Sequence, residues 1–132
     1  LSLVLGALLA VKSAEPQTMV VIMEDQSAQP KITVSWEKER QGGRRLRLRV
    51  IGHQTMEPNT TWELWMLPEG GSKPVSLGLI NTHETQSLRV PRELAVAIDR
   101  ARGLAMSVEP AGGSPTGSPT GPVLYKGECV QL

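Results

Sequence analysis

Apolar and polar residues alternate in step through several short runs of this chain, and a period of two dictates strands. In "KITVSWE" (31–37), Ile32, Val34 and Trp36 share one face while Thr33 and Ser35 share the other. "RRLRLRVIG" (44–52) repeats the pattern, with Leu46, Leu48 and Val50 inward and Arg45, Arg47 and Arg49 outward. Such alternation marks a strand with one face on a core and the other in water. "TWELWMLP" (61–68) differs. Trp62, Leu64 and Met66 fall on one side and Glu63, Trp65 and Leu67 on the other, so each face carries a large apolar group. An interior strand covered on both sides is expected there. "EGGSKP" (69–74) then turns the chain, and "VSLGLI" (75–80) returns beside it as a hairpin.

The remaining runs fit the same plan. "TMVVIME" (18–24) is a β-rich stretch followed by the polar turn "DQSAQP", and "RQGG" (40–43) is a second hairpin turn. "LAMSVEP" (104–110) points Leu104, Met106 and Val108 inward, and "VLYKGECVQL" (123–132) supplies a last strand or pair of strands. One helix is predicted over "PRELAVAIDRARG" (91–103), with Pro91 in its first turn, Gly103 as terminator, and Arg100 and Arg102 in its last turn. Its apolar side would be Leu94, Ala97, Ile98 and Ala101. Frequent turns between short strands point to an all-β fold: an antiparallel β-sandwich, immunoglobulin-like in architecture, of about seven strands with one short helix on an edge or end.

At 132 residues the chain suffices for one domain with its own core, without metal or disulfide. Fourteen Lys and Arg against thirteen Asp and Glu leave a net charge of +1, which argues against nucleic acid as a direct partner. Cys129 is alone, so it forms no internal disulfide and anchors no thiolate metal site. It reads as a buried inert thiol, with a redox switch or an intermolecular disulfide as the alternatives. His53 and His83 have no spacing relation to an acid or nucleophile, and no cofactor or metal site is expected. The Arg45, Arg47 and Arg49 row reads as charge that keeps a strand's outer face wet, with contact to an anionic membrane surface as the alternative.

"LSLVLGALLAV" (1–11) is an uncharged apolar run closed by Lys12. It is too short to span a bilayer, which takes about 20 residues. It reads as the end of a transmembrane helix; a signal-peptide core and a buried segment are the other options. The division expected is therefore 1–12 as membrane helix end or signal remnant and 13–132 as a domain outside the cytoplasm.

The oddest stretch is "GGSPTGSPTGP" (112–122), which writes Gly-Ser-Pro-Thr twice. A floppy tether is disfavoured because Pro115, Pro119 and Pro122 stiffen it and an apolar strand follows at Val123. A phosphate cradle fails because Ser118 stands where a Lys is needed and prolines remove N–H donors. A nucleophile elbow at Ser114 fails because Pro115 replaces the oxyanion donor. A stiff strap joining two paired strands remains.

"WELWMLPEGGSKPVSLGLI" together with "LAMSVEPAGGSPTGSPTGPVLYKG" resembles the extracytoplasmic C-terminal domain of the anti-sigma-K factor family, over about Thr18 to Gly127. The residues that carry the likeness are Trp62, Glu63, Leu64, Trp65, Pro68, Gly70, Gly71, Ser76, Leu77 and Gly78 in the first block. In the second they are Glu109, Pro110, Gly112, Gly113, Ser114, Pro115, Thr116, Gly117, Pro119, Thr120, Gly121 and Pro122. The resemblance implies a bacterial single-pass inner-membrane protein with this domain periplasmic or extracellular. It implies an extracytoplasmic-function sigma factor as partner, held by a cytoplasmic region outside these residues and released when a site-specific protease cuts the anti-sigma factor. It implies no enzymatic site. The competing class is a secreted β-sandwich module that binds peptide, glycan or metal. A hydrolase would need a nucleophile and base brought together by folding.

Overall fold

The computed structural model describes residues 18–37, 42–52, 54–80 and 85–132. The apolar run 1–11, the spacer after it and both histidines lie outside the described residues. Eight strands and one helix follow in order: β1 (Thr18–Glu24), β2 (Pro30–Glu37), β3 (Arg44–Val50), β4 (Thr60–Leu67), β5 (Val75–Ile80), β6 (Gln86–Val90), α1 (Arg92–Asp99), β7 (Gly103–Pro110) and β8 (Val123–Gln131).

All eight strands belong to one antiparallel sheet, in the order β5-β4-β7-β8-β1-β2-β3-β6. The sheet rolls on itself until its two edges meet. Gln86 on β6 donates from Nε2 to the Leu79 carbonyl of β5 at 3.3 Å, and the Leu88 side chain packs at Gly78. The form is a nearly closed barrel, which corrects the expected sandwich and its count of strands. Alternation tells which face of a strand is buried, and opposing walls of a rolled sheet alternate as two stacked sheets do. Bulges supply the curvature: Leu77 is the extra residue where Leu64 pairs with Gly78 but Trp65 with Ser76, and register shifts also occur at Met23/Glu24 and Met106/Ser107. Gly78 sits in this bulge with φ +140°, a conformation that side chains resist.

The inward residues fill the barrel as read from the alternation. Ile32, Val34 and Trp36 meet Leu46, Leu48, Trp62, Leu64, Met66, Leu104 and Met106 in one core. Tyr125 closes it, edge-on to Trp62 with ring centroids 5.6 Å apart, and its hydroxyl donates to Gln54 Oε1 at 3.1 Å. Val108, expected inward, is half-buried and packs against the same core.

Three further points differ from the sequence reading. β6 was not anticipated at all, since its five residues are too few to show a period. The helix is shorter: it ends at Asp99, Arg100 caps it, and Arg102 lies beyond it. Its buried residues are Ala95 and Ile98, while Ala97 faces solvent. Gly103 opens β7 instead of ending the helix, and a Cβ there would lie 2.2 Å from the Gly127 carbonyl. The helix is held by one polar cluster. Asp99 receives Trp36 Nε1 at 3.0 Å, Arg44 Nε at 3.0 Å and Arg44 Nη2 at 2.6 Å. Arg44 itself is buried and also donates to the Gly43 carbonyl at 2.8 Å.

Candidate functional site

β4 and β7 pair along their whole length, Thr60 with Pro110 through Leu67 with Gly103. Because side chains alternate, the outer face of this pair carries Glu63, Trp65, Ser107 and Glu109, and all four are buried. The loop between β7 and β8, which contains the repeated tetrapeptide, is tied to this face by the two carboxylates.

Each Gly-Ser-Pro-Thr copy meets one glutamate near one of its ends. At the first, Ser114 donates its backbone N–H to Glu63 Oε1 at 2.7 Å, and Ser76 Oγ of β5 donates to Glu63 Oε2 at 2.5 Å. At the second, Glu109 accepts the Thr120 N–H at 3.1 Å, the Thr120 hydroxyl and the Gly121 N–H at 3.3 Å. Glu109 also receives Ser107 Oγ at 2.5 Å, and Ser107 in turn receives Trp65 Nε1 at 2.8 Å. Indole, hydroxyl, carboxylate and loop backbone thus form one chain of hydrogen bonds. Among the described residues neither glutamate meets a Lys or Arg at ion-pair distance. Burial alone would raise the pKa of Glu109, but donation from Ser107, Thr120 and Gly121 outweighs it and lowers the value below the usual carboxylate range.

Between the anchors the loop is braced by itself. Ser114 Oγ donates to the Ser118 carbonyl, Thr116 N–H to Ser114 Oγ at 3.2 Å, and Ser118 N–H to Thr116 Oγ1 at 3.3 Å. The Pro122 carbonyl returns to the sheet, accepting Val108 N–H at 3.0 Å. Two glycines allow the close approach. A Cβ on Gly113, where φ is +102°, would lie 3.0 Å from Leu79 and 3.2 Å from Glu63 Oε1; one on Gly121 would collide with the Val108 carbonyl at 1.7 Å. The segment is a clasped strap.

The residues singled out by the sequence therefore gather here in part. Glu63, Trp65, Ser76, Glu109, Gly113, Ser114, Thr116, Thr120 and Gly121 take part in the clasp, while Trp62 and Leu64 face the core and Leu77 and Gly78 form the bulge. Gly70 and Gly71 adopt φ of +86° and +81° in the exposed β4–β5 turn, where Gly71 N–H reaches the Pro68 carbonyl at 3.3 Å. Ser107 is not among the residues singled out, although its place two residues before Glu109 on a strand signals a shared face.

A second feature was missed. A groove of about 930 Å³ lies on the outer face of β1, β8 and β7, lined by Val20, Ile22, Leu67, Val130 and Leu132 above Gly103 and Gly127. Lone glycines inside strands are the signal for such close approach. Cys129 lies on β8, and burial pushes its thiol up to about 11, so it is held neutral. No cluster of three His, Cys, Asp or Glu side chains is placed to hold a metal among the described residues. No helix among them is long and apolar enough to cross a membrane.

The fold and its clasped loop define a small antiparallel β-barrel domain. Residues 1–123 match the family model described as Anti-sigma-K factor rskA, C-terminal, and the chain belongs to that family. The match runs from the first apolar run through the whole strap and stops at the first residue of β8. Searches of curated proteins and of solved structures gave no match.

Proposed function

We propose that this domain is the extracytoplasmic regulatory part of a single-pass membrane anti-sigma factor. Its cytoplasmic region would hold an extracytoplasmic-function sigma factor until regulated proteolysis releases it. Membership of the anti-sigma-K factor family over residues 1–123 carries the reading. The apolar run 1–11 closed by Lys12 supports the end of a membrane helix there.

The fold supplies a physical route for control. β1 begins at Thr18 and pairs on both sides, with β2 through Thr18 and Glu37 and with β8 from Met19 and Gln131 onward. Leu132 N–H also donates to the Thr18 carbonyl at 2.9 Å. The chain therefore enters the described fold through an interior strand. A protease needs extended, accessible backbone, so intact pairing of β1 limits how much of the junction it can engage. Opening of the β1–β8 pairing would free it.

The test is to truncate the outer domain while keeping the preceding membrane segment, and to read a reporter of the sigma factor. Reporter output should change. Unchanged output in every such truncation counts against the proposal.

A further inference from the structure

The outer face of β2, β3 and β6 is predominantly positive. Arg45, Arg47 and Arg49 project from β3 and Arg89 from β6, all exposed. Arg45 is paired directly with Arg89, while Arg47 stands between Ser35 and Ser87 and Arg49 opposite Thr33. Like charges directly opposite each other on a sheet are destabilising. Among the described residues none of the four has an acidic partner at ion-pair distance. The one acid on these strands is Glu37, which receives the Thr18 hydroxyl at 3.5 Å. The chain as a whole has a net charge of only +1, and four of its fourteen Lys and Arg stand together on this strip. Edge protection does not explain the row, because β3 lies inside the sheet between β2 and β6.

The strip also has a definite position. β1 and β3 both run antiparallel to β2, so they point the same way and start at the same end of the barrel. Thr18, where the chain arrives from residues 1–17, is level with Glu37 and hence with the start of β3 and with Arg45 and Arg89. The six residues from Lys12 to Gln17 reach at most about 20 Å when extended. The strip itself spans about 14 Å from Arg45 to Arg49.

We propose that this arginine strip docks the domain on the anionic headgroups of the bilayer that anchors it. Guanidiniums bind phosphate oxygens through paired N–H groups, and the neighbouring Ser35, Ser87 and Thr33 add hydroxyl donors. The arrangement places the domain flat beside its own tether. The inference rests on the membrane-anchored reading for its biological setting, but its test does not.

The 132-residue chain is mixed with vesicles of phosphatidylcholine alone and with vesicles that also contain phosphatidylglycerol. The neutral vesicles report the contribution of the apolar run, and the difference between the two reports the strip. Each basic residue near an anionic surface contributes about fivefold in partitioning, so Arg45→Gln, Arg47→Gln and Arg89→Gln together should lower the anionic preference by about a hundredfold. The corresponding Arg→Lys variant should keep most of it, and Arg100→Gln, an exposed change at the end of α1, should leave it unaltered. Raising salt from about 0.1 M to about 1 M, which shortens the Debye length from about 10 Å to about 3 Å, should abolish the preference. Equal partitioning into both vesicle types overturns the proposal, as does an anionic preference that survives the triple substitution with a native circular dichroism spectrum. Tighter binding to a short DNA duplex or an acidic peptide than to the anionic vesicles overturns the choice of lipid. Failure of the reporter truncation with retained vesicle binding would isolate the fault in the anti-sigma reading.

Discussion

Glu109 concentrates more donors than any other residue of the strap network. It is buried, has no cation at ion-pair distance among the described residues, and is satisfied by one hydroxyl of its own strand together with the backbone and a hydroxyl of the loop. Glu109→Gln keeps the shape but replaces an acceptor-only group with an amide that turns two donors toward other donors. A loss of about 2 kcal/mol in denaturant unfolding is expected. Because the folded pKa lies below the ordinary 4.5, the contribution of Glu109 is complete above that pH and disappears as pH falls through the folded value. Stability profiles below about pH 4.5 should therefore fall less steeply in Glu109→Gln than in the parent. Gly121 sets a harder limit. Gly121→Ala drives a Cβ into the Val108 carbonyl, so backbone must move and a loss of about 3 kcal/mol or more is expected. At Gly117, exposed with no neighbour within 4 Å and φ +79°, the same substitution costs only its backbone strain, about 1 kcal/mol. Cys129, with its thiol pushed up to about 11 from 9.0, should be alkylated about a hundredfold more slowly in the native state than after unfolding at pH 8.

At the scale of elements, α1 shows how little of its own stability a short helix brings. Eight residues cannot hold a helix in water, so packing of Ala95 and Ile98 and the Asp99 cluster must do so. Asp99→Ala leaves the buried Arg44 guanidinium without its carboxylate and should cost about 3 kcal/mol, read by thermal or chemical unfolding. Asp99→Asn, which keeps an acceptor for Trp36 Nε1, should recover part of it. This element also marks where sequence reasoning stops. Parity puts Arg44 on the same face as Leu46, so its burial was within reach, but the acid it meets is 55 positions away and no local pattern connects them. β4 was readable because each of its faces carries a Trp, and the strap was readable because prolines rule out a tether. β6 was not, since a five-residue strand with Leu88 and Val90 on one side looks like any short loop.

For the whole molecule, alternation fixes inside and outside but is silent on closure. The expected sandwich and the observed barrel bury the same faces of the strands read from alternation; what separates them is β6 joining β3 and the two edges meeting at Gln86 and Leu79. The clasp belongs to this scale as well. It ties β5 through Ser76, β4 through Glu63, β7 through Glu109 and the entry to β8 through Pro122, so loosening one carboxylate weakens several pairings together. Native-state amide exchange reads this directly. The N–H groups of Ser114, Thr120 and Gly121 should exchange with protection approaching that of β4 and β7, and all three should lose much of it in Glu109→Gln. Exchange of those three amides at the rate of a free peptide, with β4 and β7 still protected, would contradict the account.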